Sequence, residues 1–277
     1  MGVLVSAEWL SERVQSVRVL DVRGEVLATE PRYQAYPERY REAHIPGAVF
    51  CDWRGDFTDP ASDVPVTVAS PQRFAADATR LGIGDSTTVV AYDTYFSVLA
   101  GRIAWVLLSY GHGAAHVLDG GLEAWRAAGL PLEAGDVEPA PADPPHPVPQ
   151  SLEGIVDLAG VRDRIAEGVQ IVDARSTAQY TGSETHARQA GHIPGALSVP
   201  YTELLDAHGR FLGAGELAER LRTAGVALDQ PVVAYCNGGV SATAVATAAR
   251  LAGAPRVEVY DGSWNEWGNR ADTPIER

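Results

Sequence analysis

The sequence predicts an α/β fold built twice over: two tandem domains, each a parallel sheet with helices on both faces. Two patterns and one repeat point to it. Short, largely apolar segments at residues 17–22, 87–92, 171–173 and 232–235 read as strands, and the unbroken run 232–235 has the length and β-branched content of one buried on both faces. Helix-length segments separate them, as in strand–helix–strand units that pair in parallel. The order of features then runs through the chain a second time. Leu20-Asp21-Val22-Arg23 is answered by Ile171-Val172-Asp173-Ala174-Arg175, and Ala43-His44-Ile45-Pro46-Gly47-Ala48 by Gly191-His192-Ile193-Pro194-Gly195-Ala196. Tyr92-Asp93 is answered by Tyr235-Cys236, and Asp119-Gly120-Gly121-Leu122-Glu123-Ala124-Trp125 by Asp261-Gly262-Ser263-Trp264-Asn265-Glu266-Trp267. The offset falls only from 152 (21 to 173) to 142 (125 to 267), as expected when loops alone differ in length.

The 277 residues suit two domains, each large enough for its own core. The first is placed at 1–134 and the second at 151–277. Between them, 135–150 carries Pro139, Pro141, Pro144, Pro145, Pro147 and Pro149, too many for helix or central strand. Proline stiffens such a linker toward polyproline II, so it should lie along the surface at a defined spacing. A net charge of −14 argues against a nucleic-acid partner and repels anionic substrates at long range, so any anion site must be locally positive. No window is long and apolar enough for a membrane span, and the N-terminus lacks a basic region followed by an apolar core, which predicts a soluble, cytoplasmic protein without a membrane partner. Met1-Gly2-Val3-Leu4-Val5-Ser6 fits the loose myristoylation pattern, but Ser6 reads better as the N-cap of a helix over 7–15. Cys51 and Cys236 are the two cysteines, one in each half, so no disulfide framework is expected and a reducing compartment fits.

In order, the helix from Ser6 leads to a strand over 17–23 and a polar excursion past Tyr33, Tyr36 and Tyr40 to the Pro46-Gly47 turn. A helix over 71–81 ends at Gly82-Ile83-Gly84. A strand over 87–93, a helix over 97–110 and a strand, glycine turn and helical turn over 117–125 complete the first half.

The richest stretch is Val232-Val233-Ala234-Tyr235-Cys236-Asn237-Gly238-Gly239-Val240-Ser241-Ala242: a buried strand, a glycine loop and the start of an alanine-rich helix. Two glycines let the backbone curl so that amides of Asn237, Gly238, Gly239, Val240 and Ser241 point inward, and the helix adds its unpaired donors and positive dipole end. Such a cradle favours thiolate over thiol and marks Cys236 as a nucleophile at the carboxyl end of a strand, where open α/β sheets bind ligands. The first half has Asp93 and Thr94-Tyr95-Phe96 at the matching place, with no nucleophile and no amide cradle expected. Chemistry is therefore assigned to the second domain. The Asp-x-Arg pairs are read as buried structural pairs, His44 and His192 as turn-bonding residues, and Trp264 and Trp267 as packing a domain interface or lining a cleft. Cys51, with no glycine loop, is expected to be inert. No zinc-type ligand set is present.

Together, the doubled Asp-x-Arg and His-Ile-Pro-Gly-Ala motifs, the Asp93 against Cys236 asymmetry, the Cys-x-x-Gly-Val-Ser loop and the closing Asp-Gly-Ser-Trp-x-x-Trp resemble the tandem-domain rhodaneses, a family of thiosulfate and 3-mercaptopyruvate sulfurtransferases. The resemblance covers nearly the whole chain. It implies that Cys236 takes a sulfane sulfur from a small anionic donor, carries it as a persulfide and passes it to cyanide, a thiol or a protein thiol such as that of a thioredoxin-like protein. Two displacements at one cysteine give ping-pong kinetics without metal or organic cofactor. The chain departs from the family where the donor is chosen: Asn237 and Gly238 stand where basic or hydroxyl residues are common, no histidine occurs at 60–64, and Gln179 stands where an arginine is frequent. Arg188 falls where the mercaptopyruvate branch binds the donor carboxylate, and the resemblance assigns it that role. A Cys-based phosphatase would need an arginine at the loop's end, where Ser241 and Ala242 stand. The alternative outside enzymology is a binding or persulfide-carrier module on the same fold.

Overall fold

A computed structural model describes residues 3–277; the Met1-Gly2 lipidation pattern lies outside them. Contacts divide the chain into two units. The first holds the chain up to Ala61, Val68–Leu152 and Ala207–Arg210; the second holds Ser62–Thr67, Glu153–Asp206 and Phe211–Arg277.

The first unit runs β1 (Leu4–Val5), α1 (Ala7–Ser11), β2 (Arg18–Asp21), β3 (Gly24–Val26), β4 (Tyr33–Ala35), α2 (Pro37–Glu42), β5 (Val49–Phe50), α3 (Pro71–Arg80), β6 (Val89–Tyr92), α4 (Val98–Ser109), β7 (Ala115–Leu118) and α5 (Gly121–Ala127). The second runs β8 (Ile155–Val156), α6 (Leu158–Ala166), β9 (Gln170–Asp173), α7 (Thr177–Tyr180), β10 (Leu197–Ser198), a 3-10 turn over Tyr201–Leu204, α8 (Ala214–Thr223), β11 (Val232–Tyr235), α9 (Ala242–Leu251), β12 (Val257–Tyr260) and α10 (Ser263–Trp267). One sheet has the order β1-β7-β6-β2-β5 and the other β8-β12-β11-β9-β10, parallel throughout and the same strand for strand. Because side chains alternate between faces of a strand, burial of all four residues of β6 and of β11 means that both faces of each sheet are covered.

Local chemistry sets the helix ends. The Ser70 hydroxyl accepts from Arg73 N–H ahead of Pro71, and the Asp157 carboxylate accepts from Gly160 N–H at 2.8 Å. Ser6 caps α1 as expected, but α1 stops at Ser11 and not near residue 15. Arg13 N–H turns to Leu10 O at 2.9 Å and Arg13 Nη1 donates to Trp9 O at 3.1 Å, so a side chain satisfies the carbonyl that a longer helix would have used.

Each Asp-x-Arg pair is the hub of a buried network that ties the His-Ile-Pro-Gly turn to the central strand. Arg175 Nη2 donates to Asp173 at 2.6 Å and to Gly191 O at 2.8 Å; Tyr235 Oη donates to Asp173 at 2.5 Å and accepts from Ile193 N–H at 3.1 Å. The first unit repeats this with Arg23, Asp21, Ala43 O, Tyr92 and Ile45. The network fixes Tyr235, the residue before Cys236. His44 and His192 bond backbone carbonyls of Tyr40 and Tyr180, both at 2.9 Å, and stack on those rings. Trp264 and Trp267 correct the interface expectation: each is 1% exposed and packs in the second unit's own core with Val233, Tyr235 and Ile193. Trp264 also lies under the Arg175 guanidinium, 4.2 Å from its ring centre.

The proline-rich segment has neither helix nor strand and is tied to the first unit. Gly135 N–H donates to Arg41 O, Val137 N–H to Tyr40 Oη, Ala142 N–H to Thr79 O and His146 N–H to Thr79 Oγ1. At its end, His146 Nε2 lies 3.4 Å from Nδ1 of His112, whose Nε2 contacts Thr87 O at 2.7 Å. Burial holds the His112 imidazole below its ordinary value; the bond to Thr87 and the Asp85 charge oppose this, and His146 and His116 add to it. The folded group binds its proton less readily than the unfolded one, so its stabilising share is present above the ordinary histidine value and declines as pH falls toward the folded value. Unfolding by urea at pH 7 and pH 5 should therefore show a smaller acid loss in His112→Gln than in the parent. Equal losses would show that this pair does not contribute to acid sensitivity.

Candidate active site

β11 is the central strand of its sheet, and it delivers Cys236 at the carboxyl end, flanked by β9 and β12. The turn from Cys236 into α9 is held from one side by α10: Trp264 N–H donates to Cys236 O at 3.0 Å and Asn265 N–H to Asn237 O at 2.8 Å. With those carbonyls occupied, the N–H groups remain. Those of Asn237, Gly238, Val240, Ser241 and Ala242 have no acceptor among the described residues, and Val240 and Ala242 are buried. Such unpaired donors, at the start of a ten-residue helix, concentrate partial positive charge beside the thiol in a chain of strongly negative net charge.

The two glycines do not act alike. Gly239 has φ of +68°, the left-handed conformation that only glycine adopts without strain, whereas Gly238 does not. Gly239 N–H also donates to Ser263 Oγ at 3.0 Å, behind the turn. Asn237 is half-buried, and its Nδ2 donates to Gln179 Oε1 at 3.1 Å, a neutral amide pair next to the nucleophile. Ser241 is the N-cap residue of α9 without a side-chain cap bond.

The first unit overturns the expectation that it lacks an amide cradle. Asp93 is fully buried, and its carboxylate accepts from Tyr95 N–H at 2.8 Å, Ser97 N–H at 2.9 Å and Ala100 N–H at 2.8 Å. Burial nevertheless pushes its carboxyl above the usual range against the pull of these amides. In the first unit, the turn at the matching strand end thus aims its backbone donors at one side chain, the Asp93 carboxyl. Thr94-Tyr95-Phe96 carries no glycine, so the signal was absent; Phe96 and Ser97 take φ of 58° and 59° instead.

Arg188 lies on an exposed segment, its amide donating to Asn269 Oδ1 at 2.9 Å. It lines a surface recess of about 460 Å³ with Gln189, Ala190, Ile275 and Arg277, and Cys236 is not among the lining residues. Cys51 is fully buried, and burial pushes its thiol well above the ordinary cysteine value. Cys236 is itself only 2% exposed, but it sits at the start of a turn with amides unpaired among the described residues, whereas Cys51 is enclosed in apolar core. Iodoacetamide on the native protein at neutral pH should therefore alkylate Cys236 in preference to Cys51, with Cys51 reacting only in denaturant. Native labelling at Cys51 would contradict that assignment. Among the described residues no group of three or more His, Cys, Asp or Glu is placed to hold a metal ion, and no helix is long and apolar enough to cross a membrane.

A doubled parallel sheet with one cysteine-bearing and one aspartate-bearing strand end defines a class, and comparison with known proteins gives the same class. The model of the rhodanese-like domain matches residues 6–128 and 157–270, and the chain belongs to that family. It is 35% identical to human 3-mercaptopyruvate sulfurtransferase over 97% of this chain and 92% of the relative, and 34% identical to that of Escherichia coli K12 over 98% and 97%. Thiosulfate sulfurtransferase of Gallus gallus is 34% identical over 97% and 94%. The crystal structure of the 3-mercaptopyruvate sulfotransferase from Escherichia coli superposes with a TM-score of 0.83 at 32% identity, covering 95% of this chain and 99% of that one.

Proposed function

We propose that this protein is a sulfurtransferase that moves one sulfane sulfur from a small anionic donor, thiosulfate or 3-mercaptopyruvate, to a thiophilic acceptor through a persulfide on Cys236. The observation that carries the reading is a cysteine at the end of the central strand beside five amide donors with no acceptor among the described residues. The Cys236 thiolate attacks the outer sulfur of thiosulfate; a new S–S bond forms, the old one breaks, and sulfite leaves with the electron pair. With 3-mercaptopyruvate the carbon–sulfur bond breaks, and the carbon takes the electron pair and then a proton to give pyruvate. Amides beside the sulfur would hold the charge of the persulfide, in the way that those around Asp93 converge on its carboxyl oxygens. Cyanide or a thiolate then takes the outer sulfur and releases the Cys236 thiolate. Every step is a displacement at sulfur, so the protein need supply only orientation and dipoles.

The neutral Asn237–Gln179 pair places no side-chain charge on the donor side of the loop. The Arg188 guanidinium has no ion pair among the described residues and is the proposed partner for a donor carboxylate. The proposed acceptors are cyanide, a small thiol or a protein thiol, the last including that of a thioredoxin-like protein, and two unbridged cysteines fit a reducing cytoplasmic setting. Turnover with each donor, in parent and Arg188→Ala, tests the assignment. A rise in KM for 3-mercaptopyruvate with thiosulfate unchanged supports Arg188; equal KM values remove it, and no turnover with either donor overturns the proposed function.

A further inference from the structure

We infer that Ser263 is a positioning residue for the Cys236 turn, holding it in the shape that receives sulfur; the inference rests on the proposed role of Cys236. Ser263 is fully buried, and its hydroxyl is saturated. Oγ accepts from Cys236 N–H at 3.1 Å and Gly239 N–H at 3.0 Å and donates to Tyr260 O at 2.7 Å. A serine hydroxyl has one proton and two lone pairs, all used here, so it has no capacity left to act as base or nucleophile. Its two accepted bonds span the turn from the residue that bears the sulfur to the one that takes φ of +68°.

The backbone at Ser263 has φ of +49°, a region uncommon for residues other than glycine. The duplicated unit shows the alternative. Gly121 stands at the matching place with φ of +55°, and a Cβ there would meet Asp93 O at 2.3 Å. Both copies keep the bond from the next residue to the strand-end carbonyl: Leu122 N–H to Asp93 O and Trp264 N–H to Cys236 O, each at 3.0 Å. The copies differ in how the turn is ordered. In the first unit the Asp93 carboxylate gathers the amides from within the turn. A cysteine has no such carboxylate. The Ser263 hydroxyl instead ties two amides of the turn, so the turn keeps its shape while the amides of Asn237, Gly238, Val240 and Ser241 stay without an acceptor among the described residues.

The test compares the full-length parent with Ser263→Ala and Ser263→Gly. Three quantities are read: the rate of single-sulfur uptake from thiosulfate by intact mass across donor concentrations, site-resolved amide exchange, and urea unfolding. Both variants should lower the saturating uptake rate by about 10- to 100-fold while the half-saturating donor concentration stays within about threefold, because the donor contacts remain and only the geometry is lost. Exchange at Cys236 and Gly239 should accelerate by at least about tenfold relative to β12 amides. Ser263→Gly removes the backbone strain together with the hydroxyl, so a glycine variant as fast as the parent would overturn the inference, as would an alanine variant within twofold. If the parent takes up no sulfur, the reading of Cys236 fails, and unchanged amide exchange in both variants would separately remove the role of Ser263.

Discussion

Cys236→Ser is expected to reduce sulfur transfer from thiosulfate to cyanide by at least about 10³-fold, the scale of loss when a covalent nucleophile is removed from an otherwise intact site. The serine oxygen is nearly isosteric, and the bonds that order the turn are to backbone atoms, so folding should survive. Unfolding midpoints close to those of the parent would separate lost chemistry from lost structure. Cys51→Ser should leave turnover within about twofold, since that side chain is fully buried in the other unit. Activity retained in Cys236→Ser and lost in Cys51→Ser would reverse the assignment.

The largest structural effect is expected at Arg175. Its Nε lies 3.0 Å from both Asp173 oxygens, its Nη2 bonds Asp173 and Gly191 O, and its guanidinium covers Trp264. Arg175→Ala leaves a fully buried carboxylate without its counter-charge, and breaking one partner of such a pair destabilises by about 3–5 kcal/mol. That is a large share of the roughly 5–15 kcal/mol typical of a folded protein. The exposed Arg41–Asp136 pair, at 2.9 Å, offers the control: Arg41→Ala should change stability by no more than about 1 kcal/mol. Urea midpoints at unchanged slope measure both. Similar small losses for the two variants would mean that the network is not a stabilising hub. Because Tyr235 bonds Asp173 and precedes Cys236, Arg175→Ala should also slow sulfur uptake.

Much of this architecture was legible because the chain repeats itself: paired motifs at nearly constant offset require two copies with the same strand order. The buried role of Asp173 and Arg175 followed from their spacing at a strand end, and the strand–turn–helix geometry around Cys236 from Cys236-Asn237-Gly238-Gly239 running into an alanine-rich helix. Other features depend on contacts that no local pattern records. The β3–β4 hairpin uses strands of three residues inside a polar stretch, too short for alternation to show. The cradle of Asp93 uses positive φ at Phe96 and Ser97 where glycine would have been the cue. Ser263 reaches the Cys236 turn across 27 residues of chain, and its only mark in the sequence is that the first copy has Gly121 in its place. Trp264 and Trp267, expected to pack an interface or line a cleft, lie in the core of their own unit, with the Arg175 guanidinium over Trp264.

The central claim is that a sulfur atom comes to rest on Cys236. Intact-mass and peptide mapping of the full-length protein after incubation with thiosulfate, before and after addition of cyanide, tests it most directly. The account predicts a gain of one sulfur on the peptide containing Cys236, removed by cyanide and absent from Cys236→Ser. No gain with thiosulfate or 3-mercaptopyruvate, or a gain that persists in Cys236→Ser, would contradict it.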